Sequence, residues 1–141
     1  MNAATARETI YLFVYGTLMT RARGRLGADM RARLASAATW LGPATIAGRL
    51  VRLGDYPGLV APVAVSDTVH GEVFELDDPG AVFAWLDNYE GVSAHPVPED
   101  EYERVILPAR LASGDEVTAW VYRYRGDALT PPVISKGRWD G

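Results

Sequence analysis

The sequence predicts an α+β domain built on a curled or closed mixed sheet. Strand-like segments outnumber helical ones, and the two kinds do not alternate as they would in a doubly wound nucleotide-binding fold. The last two strands are joined by a short glycine-containing turn, which makes them an antiparallel hairpin. A length of 141 residues suits one domain, and 48% hydrophobic with 23% charged residues is the balance of a chain that buries a core. No repeat, low-complexity tract or linker interrupts it. Residues 1–141 are therefore read as one domain, with 1–9 a loose N-terminal tail.

In chain order, Tyr11–Leu18 opens as an apolar strand and runs into Tyr15-Gly16-Thr17. Ala28 to Ala38 carries Met30, Leu34 and Ala37 or Ala38 at helical spacing. Ala44–Leu53 and Thr68–Leu76 read as strands. A second helix is marked at both ends, by Asp78 as cap, Pro79 at the first helical position and Gly91 at the exit. Within it Val82, Trp85, Leu86 and Tyr89 fall on one face. Tyr102–Leu111 and Glu116–Arg125 form the hairpin around Ala112-Ser113-Gly114-Asp115, with one aliphatic face and one mixed, aromatic face. Pro108 lacks an amide donor, which places it along an edge or at a bulge.

Composition limits the chemistry. There is no cysteine, which removes disulfides, thiolate metal sites and a cysteine nucleophile. Two histidines, His70 and His95, cannot build a three-histidine zinc site from one chain. A net charge of −4 argues against a general nucleic-acid or anionic-membrane partner. Nothing at the N-terminus reads as a signal peptide and no apolar run approaches the ~18–20 residues of a membrane span, so the expected location is the cytoplasm. The chemistry left is that of carboxylates, hydroxyls and backbone groups.

Most conventional motifs are missing, among them a Walker loop, G-x-G-x-x-G and H-E-x-x-H. Gly91-Val92-Ser93-Ala94-His95 comes near a nucleophile elbow, but His95 replaces the second glycine and the segment follows a helix. His70 lies in Val69-His70-Gly71-Glu72-Val73 and reads as a sheet residue. Arg21, Arg23, Arg25, Arg31 and Arg33 face a single Asp29, a local charge of +4 that suits a solvated loop and helix face better than a phosphate contact. Glu99-Asp100-Glu101 reads as a solvated loop before a strand.

Two features invite chemistry. In Tyr15-Gly16-Thr17-Leu18 a glycine lets a ligand approach the backbone, and successive amides could cradle a carboxylate; a strand that simply turns is the commoner reading of four such residues. Glu90 stands at the C-terminal end of the second helix, where the dipole and any burial oppose ionisation and raise its pKa toward the range of a neutral-pH acid–base group. The commoner reading of such a residue is an exposed helix-end glutamate.

The ordered set of segments resembles the gamma-glutamylcyclotransferase-like superfamily. It comprises Val14-Tyr15-Gly16-Thr17-Leu18, Leu86-Asp87-Asn88-Tyr89-Glu90-Gly91 and Ala119-Trp120-Val121-Tyr122. Asp55-Tyr56-Pro57-Gly58-Leu59, Val69-His70-Gly71-Glu72-Val73-Phe74 and Gly137-Arg138-Trp139 add to it, so the likeness runs from residue 11 to residue 139. The Gly-Thr form of the turn is closer to the γ-glutamylamine branch than to the glutathione-pathway branch.

The resemblance implies a small mixed α+β barrel with a few short helices and a γ-glutamyl small-molecule substrate. The amides of Tyr15, Gly16, Thr17 and Leu18 would hold its α-carboxylate, and Glu90 would accept its proton. Tyr122, and less directly Tyr56, would supply hydroxyls. It implies neither metal nor cofactor, because the nucleophile, an α-amine, belongs to the substrate. Two readings stand beside it: a module that binds an acidic metabolite without turnover, and an amidohydrolase that uses water.

Overall fold

The computed structural model describes residues 9–22 and 24–140. The expected N-terminal tail, apart from Thr9, and Arg23 of the arginine cluster lie outside the described residues. Among these residues, seven strands and two helices follow in the order β1 (Tyr11–Val14), α1 (Ala28–Ala37), β2 (Ala38–Ala47), β3 (Arg49–Arg52), β4 (Pro57–Val60), β5 (Thr68–Leu76), α2 (Pro79–Glu90), β6 (Tyr102–Leu111) and β7 (Glu116–Tyr124). Five strands close a barrel in the order β1-β5-β2-β6-β7, and β3 and β4 form a separate two-stranded sheet. Neighbours in the barrel pair antiparallel except β1 and β7, which close it in parallel through Tyr11↔Ala119 and Leu12↔Trp120. The expected α+β mixed barrel is the fold observed.

The helix ends are set by local chemistry. The Asp78 carboxylate accepts from the Ala81 amide at 3.3 Å, and Pro79 occupies the first turn. At the exit Gly91 adopts φ 74°, and the Val92 amide donates to the Asp87 carbonyl at 2.8 Å, the closing bond of a Schellman motif. Val82, Phe83 and Leu86 are buried beneath this helix. Its contact is the aromatic face of the β6–β7 hairpin, where the Phe83 ring meets Trp120 edge-on at 6.0 Å. Leu12, Phe13, Val69, Val73, Ala119 and Val121 are buried in the same continuous core.

Three boundaries differ from expectation. β1 ends at Val14, and Tyr15–Leu18 is already turn. The segment expected as one strand over 44–53 is two: β2 starts earlier, at Ala38, directly after α1, and breaks at Gly48 before β3. A Cβ on Gly48 would stand 3.2 Å from the Val60 carbonyl, so close backbone approach rather than hydrophobic pattern sets this break. β4 was not anticipated, because Pro57-Gly58 reads as a turn, yet all four of its residues are buried. Pro108 does lie where β6 pairs only with β7, beyond the short β2 pairing at Ala44↔Leu111 and Thr45↔Arg110.

Candidate active site

The end of β1, the loop around Pro57, the last turn of α2 and the aromatic face of the hairpin enclose a cavity of ≈ 200 Å³. That is below the ~300–1,000 Å³ of pockets for drug-sized ligands and suits a metabolite of amino-acid size. Tyr15, Gly16, Thr17, Leu18, Tyr56, Glu90 and Tyr122, all singled out from sequence, line it together.

The turn after β1 is held from every side. The buried Tyr15 hydroxyl donates to the Tyr122 carbonyl at 2.6 Å and accepts from the Leu59 amide at 3.1 Å, tying β1 to β7 and β4. Burial, with the charge of Glu90, pushes its pKa above the ordinary tyrosine value, so the hydroxyl keeps its proton. A Cβ on Gly16 would lie 2.9 Å from Cγ of Pro57, so only glycine lets the turn rest on that ring. Arg31 donates from Nη1 to the Thr17 carbonyl at 2.6 Å and from Nη2 to the Gly24 carbonyl at 3.0 Å. The Thr17 hydroxyl meets that of Tyr89 at 3.2 Å, above Gly27, whose φ of 78° and lack of Cβ leave room for both. Thr20 donates from its amide (2.7 Å) and hydroxyl (2.9 Å) to the buried Glu72 carboxylate. The amides of Gly16, Thr17 and Leu18 donate to no acceptor among the described residues.

Three carboxylates stand near the cavity in different company. Asp87 accepts two hydrogen bonds from Arg104, at 2.9 and 3.1 Å, and a third from the Tyr122 hydroxyl at 2.5 Å. Arg104 is in turn stacked over Phe83 and Trp120, at 3.9 and 4.6 Å from their centroids. Glu101 accepts from the Tyr56 hydroxyl at 2.6 Å, which, with some burial, pushes that tyrosine up to about 12. Glu90 has no hydrogen-bond donor or cation among the described residues. Burial, reinforced by Glu101 and Asp87, pushes its carboxyl up to about 8. Such a group can both take and return a proton near neutral pH.

Other candidates fall elsewhere. The Ser93 hydroxyl donates to Asp100 at 2.6 Å and His95 is exposed, so the near-elbow is not assembled as a nucleophile and base. His70 sits on β5 opposite Thr45, its pKa lowered by burial and by Arg138 and Arg21. Within the arginine cluster Arg31 braces the turn and Arg33 stacks on Trp85 at 4.6 Å. Among the described residues no three His, Asp or Glu side chains gather as a metal-ligand set, and no helix is long and apolar enough to cross a membrane.

Sequence reasoning missed Leu26, Pro57, Tyr89, Glu101 and Tyr102 as cavity walls. Tyr102 shares the two-residue period of the hairpin face that carries Arg104, Trp120 and Tyr122, and that alternation was a usable signal. Its buried hydroxyl donates to the Pro57 carbonyl at 2.7 Å. Glu101 read as part of a solvated acidic loop, and only the folding of that loop against the end of α2 brings it to the cavity.

Fold and cavity together define a small α+β barrel with an acidic cavity beside the backbone turn that follows β1. The chain belongs to the family described as gamma-glutamyl cyclotransferase, AIG2-like, whose model matches residues 12–141. Comparison with curated proteins finds no match. Among solved structures, an AIG2-like protein from Mus musculus is 25% identical, with a TM-score of 0.67 over 92% of this chain and 88% of that one. YkqA from Bacillus subtilis is 22% identical with a TM-score of 0.66; 94% of this chain is covered, but it spans only 40% of the Bacillus chain. A gamma-glutamyl cyclotransferase is 18% identical with a TM-score of 0.57, over 89% of this chain and 70% of that one.

Proposed function

We propose that the protein is a γ-glutamyl cyclotransferase, converting a γ-glutamyl amide into 5-oxoproline and a free amine. The observation that carries this reading is Glu90, an unpaired carboxyl with a pKa of about 8, lining the same cavity as the unengaged amides of residues 16–18.

The turn amides receive the α-carboxylate of the γ-glutamyl group, since successive N–H donors suit an anion. Glu90, as carboxylate, takes a proton from the α-ammonium. The freed amine attacks the γ-carbonyl carbon and closes a five-membered ring. The new C–N bond forms as the carbonyl π pair moves to oxygen, giving a tetrahedral oxyanion. Its collapse expels the leaving nitrogen, which takes the first proton back from Glu90; the ring nitrogen then gives up its second proton through Glu90 to the departing amine, which leaves as an ammonium ion beside the neutral lactam. No water is consumed, and every atom of the substrate appears in the two products. Holding the chain bent is a large part of the catalysis, because an intramolecular nucleophile in attack geometry replaces a bimolecular encounter. Tyr122 is a wall of the cavity whose proton is committed to Asp87, and it acts by positioning that corner.

Product identity tests this. The protein is incubated with γ-glutamyl amines and γ-glutamyl dipeptides in ¹⁸O-enriched water. Cyclisation yields unlabelled 5-oxoproline in equal amount to the amine. Labelled glutamate would identify a hydrolase, and stabilisation by ligand without product would identify a binding module.

A further inference from the structure

A second, larger hollow of ≈ 460 Å³ shares no lining residue with the Glu90 cavity among the described residues. The strand register builds its floor. His70 on β5 stands opposite Thr45 on β2, and Thr45 stands opposite Arg110 on β6, so the three form one row across three strands. Their chain neighbours Val69, Ala44, Ile46 and Ala109 are buried in the core, which turns the row to the outer face of the barrel. Backbone geometry brings Arg138 beside it. The His70 amide donates to the Gly137 carbonyl at 2.8 Å, and Gly137 takes φ 64° where a Cβ would collide with the Thr68 carbonyl. Arg21 closes the hollow from the loop after β1.

The charge here runs against that of the whole chain. A protein of net charge −4 gathers three guanidinium groups around one carboxylate, Glu72. That carboxylate is occupied by the amide and hydroxyl of Thr20. Ion pairs among the described residues engage Arg49, Arg104, Arg123 and Lys136, and none engages Arg21, Arg110 or Arg138. Of the acids nearby, Asp140 is paired with Lys136, and Glu116, opposite Arg110 on β7, forms no ion pair with it. Burial, then Arg138 and Arg21, disfavour a charged His70, so two of the guanidinium groups converge on a neutral imidazole. An anion between these cations relieves their mutual repulsion. The three forks come from a strand, a loop and the C-terminal segment. Donors spread in this way suit a tetrahedral group with oxygens in several directions better than a planar carboxylate. The negative charge on the rest of the chain disfavours a long polyanion.

We propose that Arg21, Arg110 and Arg138, with Thr45 and His70, form a second binding site that takes a phosphate group, free or as the monoester of a small metabolite. The site stands apart from the Glu90 cavity and does not depend on the cyclotransferase reading.

Isothermal titration calorimetry at fixed ionic strength tests it, with glycerol 3-phosphate, inorganic phosphate, glycerol and succinate as probes. Saturable binding of one or both phosphates is expected, with glycerol silent and succinate, a dianion without tetrahedral oxygens, clearly weaker. The tighter of the two phosphates tells an ester from the free ion. Arg110→Gln and Arg138→Gln should each weaken that binding by about ten-fold, the worth of one charge-assisted hydrogen bond. Arg123→Gln, which removes a guanidinium paired elsewhere with Glu103, should leave it unchanged. Circular dichroism checks the fold of each variant, and the exposed Arg110 carries the test if Arg138→Gln fails to fold. Four results would overturn the site: no saturable binding of either phosphate, succinate binding as tightly, affinity retained in Arg110→Gln, or an equal loss in Arg123→Gln.

Discussion

Asp87 and Glu90 stand three residues apart at the end of α2, and the fold treats them in opposite ways. Asp87 accepts two bonds from Arg104 and one from Tyr122, and its cationic partner lies over the Phe83 and Trp120 rings. Glu90 is left without a donor, and burial holds its proton on until about pH 8. The first carboxylate stabilises a corner between helix and hairpin. The second keeps its proton instead, because no donor or cation among the described residues supports its charge. Two acidic residues on one helix turn thus divide into a paired group and an unpaired one, which the proposed function reads as structural and reactive.

The contrast can be broken most forcefully at Glu90. Glu90→Gln keeps size and removes the proton carrier, so turnover should fall by roughly 10²–10⁴ with the fold retained. A γ-glutamyl amide assay alongside circular dichroism checks both halves of that statement. Asp87→Asn should do the reverse. It leaves Arg104 without its counter-charge and weakens the Tyr122 bond, lowering stability by about 1–3 kcal/mol in denaturant titration, with a smaller loss of turnover than Glu90→Gln.

The same comparison has a pH signature in stability. Glu90 holds its proton in the folded state up to about 8, whereas an ordinary glutamate in the unfolded chain ionises near 4.5. Between those values the unfolded chain has lost a proton that the folded one keeps, so this group makes stability fall as pH rises. Glu90→Gln should therefore melt higher than the wild type at pH 9, by roughly 3–8 °C, and show little difference at pH 5. The smallest effect is expected at the cavity rim. Tyr56→Phe frees one Glu101 oxygen without removing charge, and kcat/KM should change by roughly two- to five-fold.

How much of this was legible in the sequence follows from how local each signal is. The ends of α2 were readable because Asp78, Pro79 and Gly91 act within one turn. The hairpin was readable because its turn and period-2 pattern are contiguous. β4 was hidden because Pro57 and Gly58 are poor strand formers. They serve there because Gly16 rests on the Pro57 ring, and because a Cβ on Gly58 would lie 2.9 Å from Tyr124, contacts that exist only in the folded chain. At the site, Tyr15–Leu18 and Glu90 were recognised through an ordered set of motifs rather than from their own chemistry, which read more readily as a plain turn and an exposed helix end. Glu101 gave no such signal, since an acidic triplet before a strand looks solvated until the strand is placed.

The central claim is that Glu90 is the proton carrier, and the pH dependence of kcat/KM tests it most directly. That quantity reports the free enzyme and free substrate. The wild type should show a limb that rises with an apparent pKa of about 8. This limb should move to lower pH in Glu101→Gln, where a neighbouring negative charge is gone, and should be absent from the residual activity of Glu90→Gln. A limb that survives unchanged in Glu90→Gln would belong to the substrate amine or another group, and would contradict the assignment.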